Sequence, residues 1–300
     1  MAETSYPRVV DGAWLQARLG DPDIRIVDAT TQLRLPTGDG IYSLISGREG
    51  FDAGHIPGAV FADVLNDFAD PDGATAMTVP SSERFAKYAS ELGIGPDTHV
   101  VIYDQQDVAR GPEYYQFWAS RFWWQLRLEG HAKVSVLDGG LGRWKREGRP
   151  VTQETVSYPR ADFVAQRQLQ ILATIEQVAA AIDDPNTVLI NVLDRDTYTG
   201  KRKTYARAGH IPSSHHLFFG ELVDPETGGY RDPQQVKHLF EAAGALDPSK
   251  KPVFYCGGGI AATVAALQAA QLGRDDAAVY DGSMTEWASD ESRPLVTIDE

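Results

Sequence analysis

Sulfur is scarce in this chain, which has one cysteine, Cys256, and three methionines in 300 residues. A lone cysteine cannot close an intramolecular disulfide or supply a multi-cysteine zinc site, which excludes the disulfide-stapled and zinc-ribbon classes. Positive charge is also short: 28 Lys and Arg stand against 42 Asp and Glu, a net charge of -14. Such a surface repels nucleic acid and anionic lipid. The longest weakly polar stretch, residues 260–272, is too short and too alanine-rich to span a bilayer. The opening Met1-Ala2-Glu3-Thr4-Ser5-Tyr6-Pro7 lacks the basic and apolar regions of a secretory signal. These absences lead us to expect a cytoplasmic protein with no nucleic-acid or membrane partner. Glycine (28) and proline (17) are near average usage, and 42% hydrophobic content over this length suffices for two ordinary cores.

What is present centres on Cys256. It lies between the apolar run Pro252-Val253-Phe254-Tyr255 and Gly257-Gly258-Gly259, ahead of a small-residue helical stretch. That pattern reads as strand, glycine turn and helix start. A thiol there has backbone N–H groups around it and no flanking side chains to block approach. The positive end of the helix dipole also favours negative charge at the sulfur, so Cys256 reads as a nucleophile.

The chain repeats itself about 150 residues apart, a domain-sized period rather than that of a solenoid. Gly54-His55-Ile56-Pro57 recurs as Gly209-His210-Ile211-Pro212, and Val101-Ile102-Tyr103-Asp104 as Val253-Phe254-Tyr255-Cys256. Leu137-Asp138-Gly139-Gly140 with Trp144 and Arg149-Pro150 recurs as Tyr280-Asp281-Gly282-Ser283 with Trp287 and Arg293-Pro294. The order is kept, which points to tandem duplication with domains at 1–151 and 169–300 and a polar linker at 152–168. In each half short apolar strands alternate with helical patterns, the signature of parallel βαβ units. Strands are expected at 24–27, 100–103, 134–137, 188–190, 253–255 and 278–280. Helices are expected at 81–92, 112–128, 174–182, 233–243 and 260–272. Ligands of open α/β sheets bind beyond the carboxyl ends of strands, where Cys256 lies. Its counterpart Asp104 occupies the same corner of the other half as a solvated or capping carboxylate, so one half holds the nucleophile and the other lacks it.

These motifs resemble the rhodanese family of tandem-domain sulfurtransferases over nearly the whole chain. They run from Phe51-Asp52-Ala53-Gly54-His55-Ile56-Pro57-Gly58-Ala59 to the loop with Asp281-Gly282-Ser283. The resemblance implies an α/β fold of two rhodanese-like domains, each a central parallel sheet flanked by helices, with the active loop only in the second. It also implies ping-pong sulfur transfer: the Cys256 thiolate takes the outer sulfur of a small anionic donor, becomes a persulfide, and passes the sulfur to a thiol, to cyanide or to a small redox protein. The six-residue loop is then Cys256, Gly257, Gly258, Gly259, Ile260 and Ala261, and its amides hold the anion. No cofactor and no metal are implied. Thiosulfate is the favoured donor, with 3-mercaptopyruvate the other. A weakly active or inactive persulfide carrier is the alternative reading.

Departures from the family pattern sharpen the expectations. Gly257 and Gly258 stand where thiosulfate-preferring members carry basic residues, and Gly258 also removes the serine of the mercaptopyruvate type. Ala261 replaces the loop threonine, Ala76 a histidine of the first half, and Leu193 the arginine that binds donor anions. Arg195, Lys201, Arg202, Lys203 and Arg207 form a local basic cluster, of which Arg202 and Arg207 are the candidate replacements. His55 and His210 recur in both halves and read as structural, while His210, His215 and His216 match no standard metal spacing. Trp118, Phe122, Trp123 and Trp124 lie at helical spacing and read as core or domain interface.

Two rival motifs fail. Gly257-Gly258-Gly259-Ile260-Ala261-Ala262 with Asp281 fits a dinucleotide fingerprint, but this βαβ unit ends the sequence and a dinucleotide fold needs further strands. A Cys-x5-Arg phosphatase loop needs an arginine as its charge clamp, and none occurs between Cys256 and Arg274.

Overall fold

The computed structural model describes residues 6–34, 43–105 and 117–298. The chain divides into two compact units, one of 1–71, 79–167 and 224–230, the other of 72–78, 168–223 and 231–300.

The first unit runs β1 (Val9–Val10), α1 (Gly12–Gln16), β2 (Ile24–Asp28), β3 (Thr31–Arg34), β4 (Ser43–Ser46), α2 (Arg48–Ala53), β5 (Val60–Phe61), α3 (Ser82–Glu91), β6 (His99–Tyr103), α4 (Trp118–Leu128), β7 (Val134–Leu137) and α5 (Gly140–Arg146). The second runs β8 (Leu172–Ala173), α6 (Ile175–Ala181), β9 (Thr187–Asn191), α7 (Arg195–Thr199), β10 (His215–His216), α8 (Pro233–Ala242), β11 (Lys251–Tyr255), α9 (Ala261–Gln271), β12 (Ala278–Tyr280) and α10 (Ser283–Trp287). The first sheet has the order β1-β7-β6-β2-β5 and the second β10-β9-β11-β12-β8, all pairs parallel. Reversed, the second order matches the first strand for strand. The antiparallel β3–β4 pair is an addition of the first unit.

Local chemistry sets the helix starts. Ser81 accepts from Arg84 N at the head of α3. Thr174 and Gln177 close a reciprocal capping box on α6. Asp232 caps α8, whose first residue is Pro233. The part of the expected 112–128 helix before residue 117 lies outside the described residues. The remainder, α4, is buried nearly all round, including Trp118, Phe122, Trp123 and Trp124, and packs on β6 and β7. No helix among the described residues is long and apolar enough to cross a membrane.

The repeated sequence motifs build the same latch twice. Tyr103 Oη accepts from Ile56 N at 3.3 Å and Tyr255 Oη from Ile211 N at 3.2 Å. His55 stacks on Phe51 and His210 on Tyr198, each at 3.9 Å, with Nδ1 within 2.8 Å and 2.7 Å of that residue's carbonyl. Isolated bridges join His55 to Thr152 and His210 to Val296. Trp144 and Trp287 donate to Pro150 O and Pro294 O at 2.8 Å and 2.9 Å. Glycine, histidine and tryptophan therefore recur because each half ties its chain end back to the start of its crossover.

Residues 152–168, expected as a linker, form a strap along the first unit. Tyr158 Oη donates to Gly58 O at 2.9 Å, Ala161 N to Ser90 O at 3.0 Å, and Gln166 N to Glu129 O at 2.8 Å. Phe163 is buried, and Arg167 pairs with buried Glu129. The polarity of the segment reflects one wet side, not freedom from contact.

Two buried histidines make the first unit sensitive to acid. Burial pushes His99 down to about 4, helped by the charge of His131 and of Arg18, with Asp21 opposing. Burial likewise pushes His131 down to about 4. His99 Nε2 lies 2.8 Å from Ser135 Oγ, and its ring packs against Tyr6 and Trp14. Both rings stay neutral when folded and take a proton when unfolded. Stability is therefore full above the unfolded value near 6.5 and is lost as pH falls from there toward 4. The loss should be on the order of 1–3 kcal/mol per histidine. Urea unfolding at pH 7.5, 6 and 5 reads this slope, and His99→Gln should reduce it; a slope unchanged by the substitution contradicts the assignment.

Candidate active site

β11 is the central strand of the second sheet, and Cys256 is the residue that leaves it. Five residues later α9 begins without a capping side chain at Ile260, so the positive end of its dipole is left to the loop. Nine residues of α9 are buried, most of them alanine, and this small-residue face lets the helix lie close on β11 and β12.

The first turn of α10 grips the loop. Met284 N donates to Cys256 O at 3.0 Å, Thr285 N to Gly257 O at 2.8 Å, and Thr285 Oγ1 to the same carbonyl at 2.6 Å. All peptide bonds here are trans, so each carbonyl turned toward α10 sends the next N–H the opposite way. The amides of Gly257 and Gly258 therefore face away from α10. Gly259 adds a left-handed turn at φ +77°.

Ser283 anchors the backbone of Cys256. Its hydroxyl accepts from Cys256 N at 3.0 Å, donates to Tyr280 O at 2.7 Å, and lies 4.0 Å from Cys256 Sγ. Its backbone is left-handed at φ +49°, a conformation costing a non-glycine residue on the order of 1 kcal/mol. The counterpart is Gly140 at φ +54°, where a Cβ would meet Asp104 O at 2.5 Å. Leu141 N holds Asp104 O at 2.9 Å just as Met284 N holds Cys256 O. The Asp104 carboxylate is buried, not solvated, and accepts from Ala119 N at the head of α4 at 3.1 Å. Both halves build the same corner, and only the second places a thiol and a hydroxyl in it.

Other expected site features are placed differently. The thiol was expected to stand open to approach, yet Cys256 is 2% exposed. The loop curls back on α10, and the phenol of Tyr205 lies against Gly257, where an added Cβ would be 2.1 Å from Tyr205 Oη. Sequence reasoning missed Tyr205 because nothing in a glycine signals what fills the space beside it. Arg207 was expected to meet a donor anion. Its guanidinium instead donates to Ala288 O, Arg293 O, Trp287 O and Asp290 O at 3.0, 2.8, 3.1 and 2.6 Å, holding the last turn of α10 and the segment beyond it. Arg202 is more than half exposed and pairs with Asp194 at 2.5 Å, while Lys201 lies 3.7 Å from Asp196. Leu193 packs against the core of the second unit. Among the described residues no three His, Cys, Asp or Glu side chains converge as metal ligands.

Two topologically identical parallel α/β units, with a cysteine at the carboxyl end of the central strand in one of them, define a duplicated domain. Residues 11–147 and 174–290 each match the Rhodanese-like domain, and the chain belongs to the rhodanese family. It is 33% identical to the thiosulfate sulfurtransferase of Mus musculus over 293 residues, 94% of this chain and 92% of the mouse protein. It is 33% identical to the 3-mercaptopyruvate sulfurtransferase of Homo sapiens over 243 residues, 80% of this chain and 79% of the human one. The crystal structure of the 3-mercaptopyruvate sulfotransferase SseA from Escherichia coli superposes with a TM-score of 0.76 at 28% identity, covering 92% of this chain and 98% of that one.

Two substitutions test the placements. Ser283→Ala keeps the left-handed backbone and strands the Cys256 N–H, which should cost about 1–2 kcal/mol. Ser283→Gly strands the same N–H but relieves the backbone, so it should be the milder by about 1 kcal/mol; in urea unfolding the opposite order refutes the account. Arg207→Ala should cost about 2–4 kcal/mol, and Arg207→Lys should not restore it, since one ammonium cannot serve four spread carbonyls. Wild-type stability in either Arg207 variant argues against the clamp.

Proposed function

We propose that this protein is a sulfurtransferase in which Cys256 carries the sulfur and the amides of Gly257, Gly258, Gly259, Ile260 and Ala261 hold its negative charge. The observation that supports the reading is the grip of α10 on the Cys256 and Gly257 carbonyls, which turns the amides of Gly257 and Gly258 away from α10 in the loop that follows the chain's one cysteine. In the first half-reaction the thiolate attacks the outer sulfur of the donor. The bond from that sulfur to the rest of the donor breaks, and its electron pair departs with the leaving group. Thiosulfate would leave sulfite. 3-Mercaptopyruvate would leave the enolate of pyruvate, which takes a proton from solvent. The persulfide anion then meets a thiol, cyanide or a small redox protein, whose nucleophile takes the outer sulfur and returns Cys256 as thiolate. No cofactor or metal enters these steps. A nucleophile that must stay reduced suits a cytoplasmic location.

Leu193 packed against the core and Arg207 bound to carbonyls favour a second reading, a persulfide carrier that loads but turns over slowly. One experiment separates the two. Intact mass after exposure to each donor should show a one-sulfur increment on the wild-type chain and none on Cys256→Ser, with steady-state turnover alongside. An increment that persists in Cys256→Ser removes the nucleophile assignment, and loading without turnover selects the carrier.

A further inference from the structure

Gly257 and Gly259 are glycines for different reasons. Gly259 needs its left-handed φ of +77°, whereas the backbone of Gly257 is not left-handed and would accept an L-residue. What excludes a side chain at 257 is Tyr205. A Cβ there would lie 2.1 Å from the phenol oxygen, 2.9 Å from the carbon that bears it and 3.2 Å from the adjacent ring carbon. A tyrosine tip can swing aside in principle, but this ring is seated: it is partly buried and packs against the core of the second unit. Its neighbours Thr204 and Ala206 are exposed, so the aromatic residue is the anchor of its segment.

Three cations of the same segment are engaged elsewhere. Lys201 faces Asp196, Arg202 is paired with Asp194 and reaches Thr197 Oγ1 at 3.2 Å, and Arg207 holds four carbonyls. Lys203 is exposed, and Leu193 is apolar. Among the described residues, the side chain that a Cβ at 257 would meet is thus a neutral hydrogen-bond donor.

We propose that Tyr205 is a specificity-determining residue of the donor site, its hydroxyl donating to the carbonyl oxygen of a 2-oxo thiol acid whose sulfur Cys256 takes. The proposal rests on the sulfur-transfer reading above and names the donor class for it. As the thiolate takes the sulfur from such a donor, the carbon–sulfur electron pair passes to the methylene carbon and is shared with the carbonyl oxygen as an enolate. That oxygen gains charge as the bond breaks, so a phenol O–H beside it binds the transition state more strongly than the ground state. Thiosulfate and the sulfite it releases are dianions throughout, and their charge asks for cations rather than for one neutral donor.

The test compares wild type and Tyr205→Phe in steady-state kinetics with 3-mercaptopyruvate and with thiosulfate, using one dithiol acceptor. Loss of one hydrogen bond should lower the ratio of kcat/KM for 3-mercaptopyruvate over thiosulfate about tenfold, mainly through kcat for the former. An unchanged ratio overturns the proposal. A second measurement does not depend on turnover. Because Cys256 is the one cysteine, its alkylation is read by intact mass without interference. Bromopyruvate carries the 2-oxo acid group on the carbon attacked, and methyl methanethiosulfonate does not. Tyr205→Phe should slow reaction with bromopyruvate about tenfold relative to the thiosulfonate. A wild-type chain that shows this preference yet transfers no sulfur refutes the sulfurtransferase reading alone; a preference that Tyr205→Phe leaves intact refutes the role of Tyr205 alone.

Discussion

The hold of α10 on the peptide carbonyls of Cys256 and Gly257 is the constraint on which the rest of the second unit's chemistry depends. Two backbone donors and one hydroxyl fix the direction of two consecutive peptide planes, and with it the direction of the amides of Gly257 and Gly258. The hold is not specific to the nucleophile. The first unit makes the corresponding bond from Leu141 N to Asp104 O, so the strand–loop–helix corner is a property of the fold. What distinguishes the two corners is side chains: cysteine against aspartate, and serine against glycine at a left-handed position. At this corner the second unit tolerates a side chain in a strained backbone where the first unit has glycine.

The strand ends beside these corners show a matching division of charge. Asp28 and Asn191 occupy equivalent ends of β2 and β9, paired in register with Tyr103 and Tyr255. Burial drives Asp28 up from the usual carboxylate range, against hydrogen bonds from Thr30, Gln105 and Tyr103 that pull the other way. The second unit has an amide instead, whose Oδ1 accepts from Leu193 N at 2.9 Å. A carboxylate one register step from the nucleophile would oppose negative charge on sulfur, and Asn191 fills the same space without that penalty. Asp104, the carboxylate in the first unit's corner, accepts a hydrogen bond from an α4 amide.

Most of the architecture was legible because it rests on features with a period or a repeat. Val134, Val136, Val253 and Val279 sit in apolar runs that only a buried parallel strand explains, and Thr174 with Gln177 marks a helix start by chemistry alone. The duplicated Gly-His-Ile-Pro and tryptophan motifs were visible as a repeat, though their work as a latch was not, since that depends on bonds to carbonyls far along the chain. The two-residue strands β1, β5, β8 and β10 escaped notice, since two residues cannot display an alternation. The strap at 152–168 escaped because main-chain bonds from Ala161 and Gln166 leave no mark on residue type. At the site, the place of Cys256 at a strand end, ahead of a glycine turn and a helix, was legible from local pattern. Tyr205 and Arg207 were not, because packing against a glycine and donation to main-chain oxygens follow from tertiary position rather than from neighbours in sequence.

The burial of the thiol has a further consequence. No other sulfhydryl exists in these 300 residues to attack a sulfur once it is loaded. Cys256 is 2% exposed and has no second thiol of this chain to exchange with, and the phenol of Tyr205 lies beside the residue that follows it. On the sulfur-transfer reading proposed above, a sulfur loaded there leaves to an external acceptor, never by exchange within the chain.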